Sequence, residues 1–218
     1  MTDAEQLFKE AHRLMRLTSG GDQLQRAAEA MARAADQGHA AAANNFGAML
    51  QHGRGVPVDL GEARRYYALA ADAGLPEGQF NLGFMWLNGL GGPANPHKAR
   101  QLFDMAAKGD DTDALTHLGR MAMVGEGGPQ DFMAARDYWR KGMALDDGRC
   151  AFNLGVAMAG GHGAPPDFVQ AYAHFACALD LDNRAAEAEL QKLAAVMTED
   201  ERASAVALAK TLRQTASG

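Results

Sequence analysis

The stretch NNFGAMLQHGRGVPVDLGEA, residues 44–63, decides the fold. Gly53 and Gly55 flank Arg54, and Pro57 and Asp59 follow. Alone, such a run suits a loop whose backbone N–H groups cradle a phosphate. The rest of the chain removes that reading, because the run occurs four times. A step of 36 residues carries Gly53 to Gly89, Gly125 and Gly161, and Gly55 to Gly91, Gly127 and Gly163. It carries Pro57 to Pro93, Pro129 and Pro165, and Asp59 to Asn95, Asp131 and Asp167. Between the glycines stand Arg54, Leu90, Glu126 and His162, which share no chemistry. The glycines are read as backbone angles for a sharp corner, stiffened by the proline, with the Asp or Asn capping the helix that follows.

Further columns keep the same step. Gly47, Gly83, Gly119 and Gly155 lie upstream of the corner. Ala63, Ala99, Ala135 and Ala171 lie downstream, with the rings Tyr67, Phe103, Trp139 and Phe175. Self-similarity at such a period marks a stacked array. The units are 40–75, 76–111, 112–147 and 148–183, with a worn copy at 4–39. In that copy Ala11 replaces the upstream glycine and the corner glycines survive only as Gly20–Gly21. Such decay suits a terminal repeat with one face toward water.

Each unit reads as helix, corner, helix. Pro76 fits a first helical position, where its missing N–H is no loss. Mid-helix Gly83 costs up to about 1 kcal/mol relative to Ala, and its recurrence implies two helix backbones passing closely. Beyond 183, RAAEAELQKLAAVM and TEDERASAVALAKTLRQ read as two capping helices within 184–215. A Thr198/Glu201 capping box opens the second of them. The expected architecture is a single all-α solenoid domain over 1–218, each repeat burying its apolar face on the next.

These columns resemble the Sel1-like repeat, a relative of the tetratricopeptide repeat with a longer corner. The matching signature is Ala42, Phe46–Gly47, Gly53, Gly55, Val56, Asp59, Ala63, Tyr66–Tyr67, Ala70–Ala71 and Gly74. The resemblance implies a right-handed superhelix acting as a non-catalytic adaptor or scaffold for a partner protein or peptide. By position it also implies that the first helices line the concave surface. There the residues two before the helix glycine are Asn45, Asn81, His117 and Asn153. An amide donates and accepts at once, which suits an extended peptide main chain. The other reading is that these amides tie neighbouring helices together. Phe80, Phe84, Met123, Phe152 and Val156 belong to the same variable face, with Arg120 available to a ligand carboxylate. The aromatic and apolar members either floor a peptide groove or pack between repeats.

Other functions find less support. The net charge of −6 shows no basic excess for a phosphate backbone, so nucleic acid is not expected as a partner. No basic segment followed by an apolar one opens the chain and no apolar run has membrane length, so a cytoplasmic protein is expected, or a periplasmic one if a leader was trimmed. Serine occurs only as Ser19, Ser204 and Ser217, none in a nucleophile motif. No two of the seven histidines are spaced i, i+4. No catalytic residue, metal site or cofactor is expected. The alternatives to an adaptor are a module that assembles with its own copies, or an enzyme of unrecognised type. Cysteine-rich relatives proposed to bind or hydrolyse β-lactams carry a cysteine pair in every repeat, whereas this chain has only Cys150 and Cys177. These two are expected as buried thiols, with a disulfide as the other possibility. Acidic clusters at Asp110, Asp111 and Asp113, at Asp146 and Asp147, and at Asp180 and Asp182 read as caps and turns.

Overall fold

The computed structural model describes residues 2–16 and 21–216, so that Gly20, Ser19 and Ser217 lie outside the described residues. Among the described residues there are twelve helices and no strand. The chain divides into two compact units, residues 1–111 and 112–218.

The first unit holds three helix pairs. They are α1 (Asp3–Arg16) with α2 (Gly21–Asp36), α3 (Ala40–His52) with α4 (Leu60–Asp72), and α5 (Pro76–Asn88) with α6 (Pro96–Lys108). Each pair packs on itself, and α2 then packs on α3 and α4 on α5. The second unit holds α7 (Thr112–Val124), α8 (Phe132–Ala144), α9 (Gly148–Ala159) and α10 (Phe168–Asp180), closed by α11 (Ala186–Ala194) and α12 (Glu199–Ala216). Both closing helices pack on α10. The result is an all-α solenoid of helix–corner–helix repeats. Its cores are built of alanine and one ring per repeat, with Tyr67, Phe103 and Phe175 at most 2% exposed.

The caps fall where the spacing places them. Asp59 accepts from Glu62 N at 2.9 Å, Asn95 from Lys98 N at 3.0 Å and Asp167 from Gln170 N at 2.9 Å. Asp131 accepts from both Met133 N and Ala134 N, at 3.0 and 2.9 Å. The capping box at α12 forms in both directions. Thr198 N donates to Glu201 Oε2 at 2.8 Å, and Glu201 N donates to Thr198 Oγ1 at 3.3 Å.

The corners consume their own backbone groups. Arg54, Leu90 and Glu126 each donate N–H to the preceding helix at 2.9 Å, and His162 does so at 3.2 Å. The cap residues Asp59, Asn95, Asp131 and Asp167 donate back to Leu50, Trp86, Ala122 and Met158. A phosphate would find these donors already used. Gly53 and Gly55 adopt φ of 68° and 76°, the left-handed region that glycine enters without penalty. The second corner glycine has another reason to lack a side chain. A Cβ on Gly55 would lie 2.5 Å from the Leu24 carbonyl carbon, one on Gly91 2.7 Å from that of Leu60, and one on Gly163 2.7 Å from Phe132 Cβ. These three corners thus seat directly on the second helix of the repeat before them, each within its own unit.

The upstream glycine column is close-packed against the ring of its own repeat. A Cβ on Gly47 would stand 2.9 Å from the Tyr67 ring and 3.2 Å from the Ala63 carbonyl oxygen; at Gly83 the Phe103 ring is 2.9 Å away. Two helix backbones do come near, but the nearest obstacle is aromatic. The acidic clusters also resolve by position. Asp110, Asp146 and Asp182 each adopt φ of 61°, in the turn positions that Gly38 and Gly74 fill earlier in the chain.

Candidate functional site

An α-helix turns about 100° per residue, so the group two before a helix glycine points away from the ring that the glycine faces, and the group one after it points to the side. In the first unit these are Asn45, Asn81 and Phe84. Asn81 Nδ2 donates to Asn44 Oδ1 at 2.8 Å, and Asn45 Nδ2 lies 3.5 Å from His12 Nε2. The amide column therefore links successive first helices, α5 to α3 and α3 to α1. Phe84 is half-buried on the outward side. Phe80 turns back toward the core, its ring centroid 5.5 Å from Phe103 and 6.4 Å from Phe84.

In the second unit the outward groups are His117, Arg120, Asn153 and Val156. His117 is half-buried, and burial followed by the Arg120 charge pushes its pKa below the ordinary value. Arg120 is exposed but held by Glu126 at 2.8 Å, so the carboxylate expected from a ligand is already supplied within the repeat. Asn153 is half-buried, and its amide makes no hydrogen bond among the described residues. Val156 is 42% exposed. Met123 and Phe152 are partly buried against the core, Phe152 at 5.3 Å from the Phe175 ring. Of the ten candidates, Phe80, Phe152 and Met123 lean inward, Asn45, Asn81 and Arg120 are engaged by neighbouring side chains, and Phe84, His117, Asn153 and Val156 remain half-buried or exposed on the other side.

The remaining chemical groups are placed as follows. Cys150 and Cys177 are free, buried thiols. Cys150 Sγ lies 3.2 Å from Thr116 Oγ1, and Cys177 Sγ is 3.6 Å from the Ala209 carbonyl oxygen. Burial pushes their pKa values up to about 12 and about 11. Asp147 caps α9 and receives Arg149, which also reaches Asp113. Burial acts to raise the Asp147 pKa, but hydrogen bonds from Arg149 and Thr112 outweigh it and hold the carboxyl below its ordinary value. Among the described residues no three His, Cys, Asp or Glu side chains are grouped to hold a metal ion, and no helix is long and apolar enough to cross a membrane.

A column of arginines also joins one repeat to the next corner. Arg64, Arg100 and Arg136 stand 36 residues apart on successive second helices. The Arg64 guanidinium stacks on the Trp86 ring at 3.2 Å and borders Gly92 in the next corner. Arg136 donates to the carbonyl oxygen of His162, again in the next corner. The spacing alone was signal enough to single these arginines out.

A family model described as Sel1 repeat matches residues 40–75, 76–111, 112–147 and 148–183. Among solved structures the chain is similar to a protective antigen of uropathogenic Escherichia coli strains that displays an SLR fold. The two share 23% identity at a TM-score of 0.85, over 97% of this chain and 45% of the antigen. It is also similar to a Sel1 repeat protein from Oxalobacter formigenes, with 20% identity and a TM-score of 0.77 over 99% of this chain and 83% of that one. An immunity protein from Pseudomonas aeruginosa shares 20% identity at a TM-score of 0.54, over 98% of this chain and 81% of its own. At these identities the likeness is one of fold. The chain spans less than half the length of the E. coli antigen. No curated protein matches it.

Proposed function

The chain belongs to the Sel1 repeat family, and on that premise we propose that it is a non-catalytic adaptor that binds a partner protein through the outward face of its first helices. Sel1 repeats are generally protein-interaction modules. The observation that carries the reading is the contrast between columns. The positions facing the ring are glycine in all four repeats, whereas the outward positions change from Ala48 to Phe84, Arg120 and Val156. Packing alone would keep such a face uniform. Half-buried Phe84 and Val156, 42% exposed, offer apolar surface to a partner, and the Asn153 amide offers a donor and an acceptor beside it. In the first unit Asn45 and Asn81 accompany Phe84, with Phe80 leaning inward; in the second His117 and Arg120 accompany Val156, with Met123 and Phe152 leaning inward.

The test is capture of a partner from the native host by the wild-type chain and by Phe84→Ala and Val156→Asp variants. Both variants are expected to keep the wild-type circular dichroism spectrum while losing at least about tenfold in capture. Unchanged capture by folded variants refutes the face. Light scattering addresses self-assembly: a chain that stays monomeric at high concentration counts against copies of itself as the partner.

A further inference from the structure

A cavity of about 560 Å³ opens in the first unit between α4, α5 and α6. Its walls are apolar, formed by Leu82, Leu102 and Met105, and Trp86 stands beside them. Two cations flank the indole: the Arg64 guanidinium at 3.2 Å and Lys98 Nζ at 4.3 Å from the ring centroid. Neither has a carboxylate partner among the described residues, and no acidic side chain lines the cavity. Arg64 also keeps a nitrogen that is buried without a hydrogen bond, as Arg100 and Arg136 do in the same column, so that what sets this repeat apart is the indole and the ammonium beside it. The half-buried Trp86 carries an indole N–H at the edge of the same cavity. Arg64 is half-buried and partly desolvated, whereas Lys98 is exposed, so an anion seated here would relieve a desolvation cost at the guanidinium in particular.

The repeats supply an internal control. In the Trp86 column the other residues are Leu50, Ala122 and Met158, and in the Lys98 column they are Glu62, Ala134 and Gln170. Packing in the array therefore calls for neither an indole nor an ammonium here. Their pairing beside Arg64 is specific to this repeat.

We propose that this cavity holds the free C-terminus of a partner polypeptide ending in an apolar residue. The last residue places its side chain against Leu82, Leu102 and Met105 and its α-carboxylate between Arg64, Lys98 and the Trp86 N–H. A C-terminal residue carries both groups on one carbon, so both fit a cavity of this size, and the rest of the chain leaves through the open side. Charge complementarity selects an anion and the apolar wall selects a hydrophobic body. The site lies on the second-helix side, apart from the outward face of the first helices, and stands or falls independently of it.

Trp86 is one of only two tryptophans, so the full chain carrying Trp139→Phe reports on this site alone. The substitution places the ring of Phe103 and Phe175 in the Trp139 column. Tryptophan fluorescence is followed against N-acetyl-leucine, its neutral amide, a Gly-Gly-Ser-Leu peptide with a free C-terminus, and decanoate. N-acetyl-leucine is expected to change the emission saturably in the millimolar range, as its small size dictates. The amide should bind at least about tenfold more weakly, and the free peptide at least as well as N-acetyl-leucine. Lys98→Gln and Arg64→Gln should each weaken binding about tenfold, with Arg64→Lys recovering part of the loss and Phe84→Ala without effect. An unchanged circular dichroism spectrum establishes that each variant is folded. Equal response to acid and amide overturns the proposal, as does the absence of a saturable response. Decanoate binding without the peptide also overturns it, in favour of a free apolar acid.

Discussion

Replacing Gly91 by alanine separates two reasons for a glycine that the sequence cannot distinguish. Gly91 has φ of 72°, and an added Cβ would overlap the Leu60 carbonyl oxygen and stand 2.7 Å from its carbon. Gly74 has a similar φ of 82°, but its Cβ would meet nothing within 4 Å. Both substitutions incur the left-handed penalty of about 1–2 kcal/mol. Both recover about 0.4–1 kcal/mol from the restricted unfolded chain. Gly74→Ala should therefore cost up to about 1.6 kcal/mol. Gly91→Ala must in addition displace backbone, for which overpacking costs of about 1–3 kcal/mol apply. Its total is about 1–5 kcal/mol. For a chain of this length each kcal/mol lowers the melting temperature by about 2–4 °C. Thermal melts followed by far-ultraviolet circular dichroism should place Gly91→Ala several degrees below Gly74→Ala in the same buffer. The chain repeats this contrast internally: the Gly74 column accepts Asp110, Asp146 and Asp182 at φ of 61°, whereas the Gly91 column is glycine throughout. Equal losses for the two variants would refute the close-approach argument.

The turn aspartates give the converse test. Asp182→Gly should change stability by no more than about 1 kcal/mol, read as a shift of a few degrees at most in melting temperature, because glycine relieves the positive φ but loses more freedom on folding. His174 is 4% exposed in α10, and burial, followed by the Arg140 charge, lowers its pKa from 6.5 to about 4. The folded chain thus holds it neutral while the unfolded chain protonates it. Its stabilising contribution is present above pH 6.5 and is lost as pH falls toward about 4, at a cost of roughly 3 kcal/mol. Melts across that window should fall less steeply for His174→Leu; an identical slope would exclude His174 as a source. Cys150 and Cys177, buried with raised pKa values, should ignore Ellman's reagent in the folded chain and react as two thiols in denaturant. Rapid reaction of the native protein would show that one of them is open.

The parts of the fold governed by backbone rules are legible in the sequence. Asp59, Asn95, Asp131 and Asp167 cap their helices because an N-cap depends on a short side chain and its nearest N–H groups. The Thr198/Glu201 box is equally local. The candidate face is less legible, since it depends on where long side chains go after the helices pack. Phe80 and Phe84 are four residues apart on one helix, yet Phe80 lies on Phe103 while Phe84 stays at the outward edge. Nothing in the spacing says that Arg120 meets Glu126 from the corner or that Asn81 meets Asn44 from the preceding repeat. The cavity at Trp86 is less accessible still, because its walls come from three helices. Trp86 and Lys98 do announce themselves as departures from their columns.

The contact between a corner glycine and the preceding repeat has a consequence for how such a chain can grow. Gly55 meets the backbone of Leu24, and Gly91 meets the backbone of Leu60, one repeat further on. At these two corner glycines the socket is main chain and the residue offering it is the same, so the fit does not record which of the two repeats it belongs to. Excision of residues 40–75 would bring Gly91 onto Leu24 with the same fit. Length in this architecture is therefore an adjustable quantity, changed in whole steps of 36 residues, while individuality is confined to side chains such as Trp86 that the joint never touches.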